Sequence, residues 1–191
     1  MSQKPLLDER IRGRQGFGLV SVFTGDGKGK TTAALGTMVR AAGAGKKVAV
    51  VYFDKGGEHY SERSLLGRLG IDWYATGRDR IDPVTGRFDF SITEEDRQEA
   101  RRGLTRLWEW IKSDGYDLAV ADEINSTVAL GMLDENEVLT AIKKKPERLE
   151  LILTGRNAPA SFRDAGHLVS VMGLEKHYFY SGVPAREGID Y

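Results

Sequence analysis

The stretch Phe23-Thr24-Gly25-Asp26-Gly27-Lys28-Gly29-Lys30-Thr31-Thr32 constrains this chain most, because it joins an apolar run, Gly18 to Phe23, to a helix-like run, Thr32 to Ala44. A strand, a glycine-rich turn and a helix in that order read as a phosphate-binding loop. Glycines at 25, 27 and 29 let the backbone turn with its N–H groups inward, Lys30 reaches the outer phosphates, and the Thr31 hydroxyl is placed to meet Mg²⁺. The positive end of the following helix adds to that field. Asp26, Lys28 and Thr32 complete the candidate nucleotide contacts. The general pattern G-x-x-x-x-G-K-[ST] asks for glycine at position 24, where this chain has Thr24.

A chain of 191 residues with 40% apolar content is about one domain. We divide it into an N-terminal arm, 1–16, in which Arg10, Arg12 and Arg14 alternate with other residues, and a nucleotide-binding domain, 17–191. Lys plus Arg and Asp plus Glu both number 28, so no global basic field exists and no nucleic-acid partner is expected. Cysteine is absent, which removes disulfides, thiolate metal sites and cysteine nucleophiles together and suits the cytoplasm. The longest apolar run, Val48 to Phe53, is too short to cross a bilayer, and the polar start lacks the apolar core of a signal peptide; no membrane partner is expected. His59, His167 and His177 are dispersed and show no metal spacing.

Along the chain, Val48 to Phe53 is continuously apolar, as a parallel strand covered on both faces requires. A strand–helix–strand crossover from the loop follows, and Asp54, Lys55, Gly56, Gly57 and Glu58 arrive at the ligand edge. A short helix (Ser61 to Leu69) and a strand (Ile71 to Ala75) precede a long connection, Arg78 to Ile92, expected to be functional or mobile. Thr93 to Asp96 reads as a helix N-cap, with Leu104, Leu107, Trp108 and Ile111 at helical spacing and Trp108 in the core. A fourth strand, Tyr116 to Ala121, delivers Asp122 and Glu123, carboxylates that can hold Mg²⁺ and act as a base or orient a ligand. Two helices, Asn125–Leu133 and Asp134–Lys145, are followed by strands at Leu149–Leu153 and His167–Val171. Arg156 lies just past the former, where a guanidinium suits phosphate. The fold class is α/β, a doubly wound, mainly parallel sheet of about six strands, P-loop NTPase-like.

These residues resemble the ATP:corrinoid adenosyltransferase family, P-loop type. The resemblance rests on Val22 to Ala33 with its glycine-less position 24, Phe53-Asp-Lys-Gly56, Ala75-Thr-Gly77, Asp122-Glu123, Thr154-Gly-Arg156, Lys176-His177 and the Gly188-Ile-Asp-Tyr191 ending. It implies that cobalt(I) of a corrinoid attacks the 5′-carbon of ATP and expels tripolyphosphate, with Lys30, Thr31, Asp122 and Glu123 in catalytic roles. Gly25 to Thr32, Lys55 and Arg156 would bind nucleotide, and Thr31 with Asp122 would hold Mg²⁺, or Mn²⁺ in its place. It also implies a flavin-type reductase as partner and a homodimer. Because the leaving group is the whole phosphate chain, charge must be spread along all of it.

Two departures stand out. After Gly77 the family runs Gly-Phe-Thr-Trp, aromatics thought to displace the corrinoid's lower ligand, whereas Arg78-Asp79-Arg80 stand here. Trp73, Tyr74, Phe88 or Phe90 would have to supply the apolar wedge, and Arg78 to Phe90 is expected to be a mobile cover. The family's glutamate after Val-Ser is Val171. The rival readings are a P-loop hydrolase or kinase using Glu123 to activate water or a hydroxyl, and a non-catalytic ATP-binding module.

Overall fold

Apolar residues on successive strand positions face opposite sides of a sheet, and here they feed two separate cores. Val20 and Val22, Val51 and Phe53, Ala119 and Ala121, and Leu151 and Leu153 share one cluster, while Val48, Val50 and Tyr52, Leu118 and Val120, and Ile152 share the other. The structure, a computed structural model, describes residues 6–80, 89 and 91–191. Its strands are β1 (Val20–Thr24), β2 (Val48–Tyr52), β3 (Asp72–Ala75), β4 (Leu118–Asp122), β5 (Glu150–Thr154) and β6 (Leu168–Val171). They form one sheet in the order β3-β2-β4-β5-β1-β6, and every pairing is parallel.

Helices cover both faces. On the second core lie α1 (Lys30–Gly43) through Ala34 and Met38 and α2 (Glu62–Arg68) through Leu66. On the first lie α3 (Glu94–Ser113), α4 (Ile124–Ala129), α5 (Glu135–Lys144) and α6 (Ala160–Ala165), the last through the fully buried Phe162. Trp108 packs half-buried against that core. The expected Thr93 cap is present: its hydroxyl accepts from Asp96 N while Asp96 Oδ2 accepts from Thr93 N at 2.7 Å. Gly103 lets α3 lie close on the sheet, since a Cβ there would sit 2.8 Å from Phe53 Cε1.

Beyond shifts of element ends, such as α4 stopping at Ala129 rather than Leu133, the structure adds detail to the expected elements. The first strand begins at Val20 because the N–H groups of Gly18 and Leu19 both go to Glu150 Oε2, at 2.9 Å each, rather than to a neighbouring strand. The expected strand–helix–strand crossover from β1 is present and spans two strands, since β4 and β5 lie between β1 and β2 and α1 packs across them. Helix α6 was not expected; it follows Pro159 as its N-cap residue and is too short to show periodicity. In the arm, Arg10 is tied to Asp164 O and Gly166 O and Arg14 to Glu147 O. No helix among the described residues is long and apolar enough to cross a membrane.

Candidate active site

The carboxyl ends of β1, β2, β4 and β5 open on one cleft of about 790 Å³. Asp26, Gly27, Lys28, Gly29, Lys30, Thr31 and Thr32 line it, together with Lys55, Glu123 and Arg156. Of the other expected site residues, Gly25 lies behind the loop and Asp122 beneath the floor, only 1% exposed. Glu58 is exposed and outside the cleft.

The loop glycines are explained partly by a neighbour that sequence reading did not foresee. A Cβ on Gly25 would lie 2.4 Å from Met172 O, and one on Gly27 2.3 Å from Gly173 O, so the segment after β6 backs the loop. The Gly27 N–H is accordingly donated to Met172 O at 2.8 Å and does not point inward, which corrects the expectation for that amide. Thr24, at the position that usually carries glycine, ends β1; its Oγ1 accepts from Ala158 N at 3.1 Å and joins the loop to the chain beyond β5. The N-cap residue of α1 is Gly29, which has no side chain to cap the helix, leaving that end for another group.

Lys30 Nζ donates to Gly25 O at 2.7 Å and Gly27 O at 2.8 Å, and burial lowers its pKa. Lys28 donates to Tyr178 Oη, Ile189 O and Asp190. Beneath the loop, Thr31 Oγ1 lies 3.3 Å from Asp122 Oδ2, and the Lys55 ammonium meets both, at 3.0 and 2.5 Å. Burial alone would lower the Lys55 pKa, but Asp122 and Glu123 beside it raise it well above the usual range. Two hard oxygens, one a carboxylate, are the one or two protein ligands that Mg²⁺ ordinarily takes, with water and phosphate completing its shell. The donor set therefore fits the ion. Among the described residues, no three His, Asp or Glu side chains converge as a closed metal cage.

Strained backbone marks the same edge. Asp54, Glu123 and Asn157, each just past a strand of the cleft, have φ of 50, 64 and 53°, a region that non-glycine residues occupy at a cost of about 1–3 kcal/mol. Glu123 is held there by Ser126 Oγ, which donates to its Oε2.

Both arginines of the charged triplet after Gly77 are bonded to neighbouring groups. Arg80 is 5% exposed; its Nε donates to Asp54 Oδ1 at 2.7 Å, and its Nη1 donates to Ser91 O at 2.7 Å. Arg78 donates to Asp96 at 2.9 Å and to Asp89 at 2.7 Å. The expected mobile cover thus excludes Arg78 and Arg80, which the α3 cap residue Asp96 holds in ion pairs at 2.9 and 3.1 Å. Trp73 lies under Arg63 and Tyr74 under Arg102 and Arg106, and neither lines the cleft. Phe88 and Phe90 lie outside the described residues.

Comparison with known proteins decides the family. The family model for ATP:corrinoid adenosyltransferase BtuR/CobO/CobP matches residues 16–191. The chain belongs to this family. The corrinoid adenosyltransferase of Escherichia coli (strain K12) is 35% identical over 193 residues, covering 98% of this chain and 93% of that protein. Corrinoid adenosyltransferase CobA of Salmonella typhimurium is 35% identical with the same coverage, and the Pseudomonas aeruginosa corrinoid adenosyltransferase is 30% identical over 99% of this chain and 92% of its own. At the level of fold alone, flagellar accessory protein FlaH of Methanocaldococcus jannaschii is similar, with a TM-score of 0.51 at 13% identity, covering 86% of this chain and 75% of that one.

Within this adenosyltransferase, sequence reading missed four contributors. Thr154 bonds Asp122, Asn125 Nδ2 reaches Phe23 O and Gly155 O at 3.3 and 3.4 Å, Arg63 holds the backbone carbonyls of Lys55 and Gly57, and Asp190 holds Lys28. Asp190 and Thr154 gave a signal only as members of family motifs, the Gly-Ile-Asp-Tyr ending and Thr154-Gly-Arg156, with no role attached to either; Asn125 and Arg63 gave none.

Proposed function

We propose that this adenosyltransferase binds ATP with Mg²⁺ in the cleft and transfers the 5′-deoxyadenosyl group to the cobalt(I) of a corrinoid. The cobalt electron pair forms the bond to C5′ while the C5′–O bond breaks, and tripolyphosphate leaves with that bond's electrons. The supporting observation is the convergence of Lys28, Lys30, Lys55 and Arg156 on one cleft, a spread of positive charge suited to a leaving group that is the entire phosphate chain. No side-chain nucleophile is needed: the chain positions the two substrates and stabilises developing negative charge. Thr31 and Asp122 would hold Mg²⁺, or Mn²⁺ in its place, and the ion would supply further charge at the phosphates. Glu123, fixed by Ser126 and facing Lys55 at 3.9 Å, is assigned the orientation of that lysine.

The cytoplasm is proposed from the cysteine-free composition. A flavin-type reductase as source of cobalt(I), and a homodimer, are proposed from the family alone. Anaerobic incubation with ATP and chemically reduced corrinoid, read by ³¹P NMR, tests the reading: tripolyphosphate formed only when corrinoid is present supports it, and ADP formed regardless of corrinoid refutes it.

A further inference from the structure

The Lys55 ammonium touches the same two atoms that a divalent ion would require, Thr31 Oγ1 at 3.0 Å and Asp122 Oδ2 at 2.5 Å. Its side chain is 14% exposed and that of Asp122 is 1% exposed, so the pair is little screened by solvent. The Lys55 backbone is clamped on both sides. Its N–H donates to Thr76 O at 2.8 Å, and its carbonyl accepts from Arg63, which also holds Gly57 O at 2.6 Å. The ammonium can therefore relocate only by rotation of its own side chain. It lines the same cleft as Lys28, Lys30 and Thr32.

We propose that Lys55 is the resident counter-cation of the metal seat, and that it changes partner from Asp122 to the phosphate chain when the divalent ion enters. The inference rests on the ATP-binding reading above. Asp122 and Thr31 would hold a divalent ion through oxygens that the ammonium already contacts, and the two cations would repel at close range if both stayed there. Evicted alone, the ammonium loses its carboxylate; among the described residues the other carboxylate it pairs with is Glu123, whose Oε1 is 3.9 Å away. Evicted beside a polyphosphate, it gains charge-assisted hydrogen bonds. Metal and phosphate binding are thereby coupled through one side chain, and the released lysine adds a charge to the leaving group only in the metal-loaded complex.

The test uses the full chain with Mn²⁺ alone and with preformed Mg-tripolyphosphate, and needs neither corrinoid nor turnover. Lys55→Met should bind Mn²⁺ alone about tenfold more tightly than wild type, by electron paramagnetic resonance of the free ion, and Mg-tripolyphosphate about tenfold more weakly, by calorimetry. These shifts have opposite signs, whereas a merely structural loss weakens both. Equal or weaker Mn²⁺ binding by the variant, or unchanged tripolyphosphate affinity, overturns the proposal. Should Lys55→Met not fold, wild-type protein decides: the Lys55 ammonium NMR signal should move with Mg-tripolyphosphate and stay in place with metal-free tripolyphosphate, and the reverse result overturns the proposal. The adenosyl-transfer reading stands or falls separately, on whether the wild type forms adenosylated product.

Discussion

Thr154 Oγ1 donates to Asp122 Oδ1 at 2.6 Å and accepts from Glu123 N at 3.0 Å, so one hydroxyl on β5 orients the carboxylate ending β4 and the residue after it. With Oδ1 occupied, Oδ2 faces Thr31 and Lys55. Thr154→Val keeps the shape but frees the carboxylate, and its Mg²⁺ affinity in the presence of ATP should fall about 10- to 100-fold, as is usual when a partner of a metal ligand is lost. Thr154→Ser should retain near wild-type affinity. Calorimetric titration of both variants checks this, and wild-type affinity in Thr154→Val with a loss in Thr154→Ser would show that the methyl group matters rather than the hydroxyl.

Lys30→Met removes a charge that, among the described residues, is bonded to loop carbonyls. The fold should survive with little change in melting temperature, while affinity for MgATP drops about 100-fold, the scale of charge-assisted bonds lost in a shielded site. Asp122→Asn should weaken binding with Mg²⁺ more than binding of metal-free ATP. Titrations with and without Mg²⁺ separate the two roles.

Arg80 joins Asp54, Asp96 and Ser91 from within the protein, with 4% of its side chain exposed. Arg80→Met leaves buried carboxylates with fewer partners and should cost about 3 kcal/mol or more in chemical denaturation. A change under about 1 kcal/mol would mean that solvent reaches this cluster as it reaches a surface pair.

His167 Nδ1 accepts a hydrogen bond from Val20 N at 2.9 Å, so the neutral ring is the form built into the β1–β6 edge. Burial and then the nearby Arg10 lower its pKa below the ordinary 6.5. A group depressed in the folded state contributes stability above its unfolded pKa and loses it as pH falls through the folded value. Stability should therefore decline below about pH 6.5, and His167→Gln should flatten that part of the denaturation profile.

The Lys28–Asp190 pair ties the chain after β6 across the glycine loop, with Tyr178 Oη bonded to the same carboxylate. Asp190→Asn should leave the sheet folded but speed proteolytic cutting at the exposed Phe179 and Tyr180. Limited proteolysis followed by mass analysis locates the cuts; unchanged rates would show that other contacts hold the segment.

How much could be read in advance depended on whether the cause was local. Lys30, Thr31, Asp122 and Glu123 lie beside strand ends whose apolar runs are unmistakable, so their shared edge followed from the parallel-sheet rule. Thr93 and Asp96 form their cap within four residues, and that too was legible. What a Cβ at Gly25 or Gly27 would meet is the backbone of Met172 and Gly173, which no local pattern announces. The strand order likewise escaped, because Val48–Tyr52 and Leu118–Asp122 are equally apolar and nothing local says that β4 and β5 separate β1 from β2. Asn125 and Arg63 act through hydrogen bonds to groups distant in sequence, so their residue types alone carried no signal, and Thr154 stood out only within the Thr-Gly-Arg motif. Arg78 and Arg80 were read as part of a connection expected to be functional or mobile, and they are bonded into the start of α3.

The central claim is the transfer of C5′ from ATP to cobalt. ATP labelled with ¹³C at the 5′-carbon, incubated anaerobically with the protein, Mg²⁺ and chemically prepared cobalt(I) corrinoid, reports it directly by ¹³C NMR. The account predicts a carbon signal of a cobalt-bound methylene appearing in step with one tripolyphosphate per corrinoid, and neither signal with Lys30→Met. Label that remains in ATP, or that passes into ADP without a cobalt–carbon signal, would contradict it.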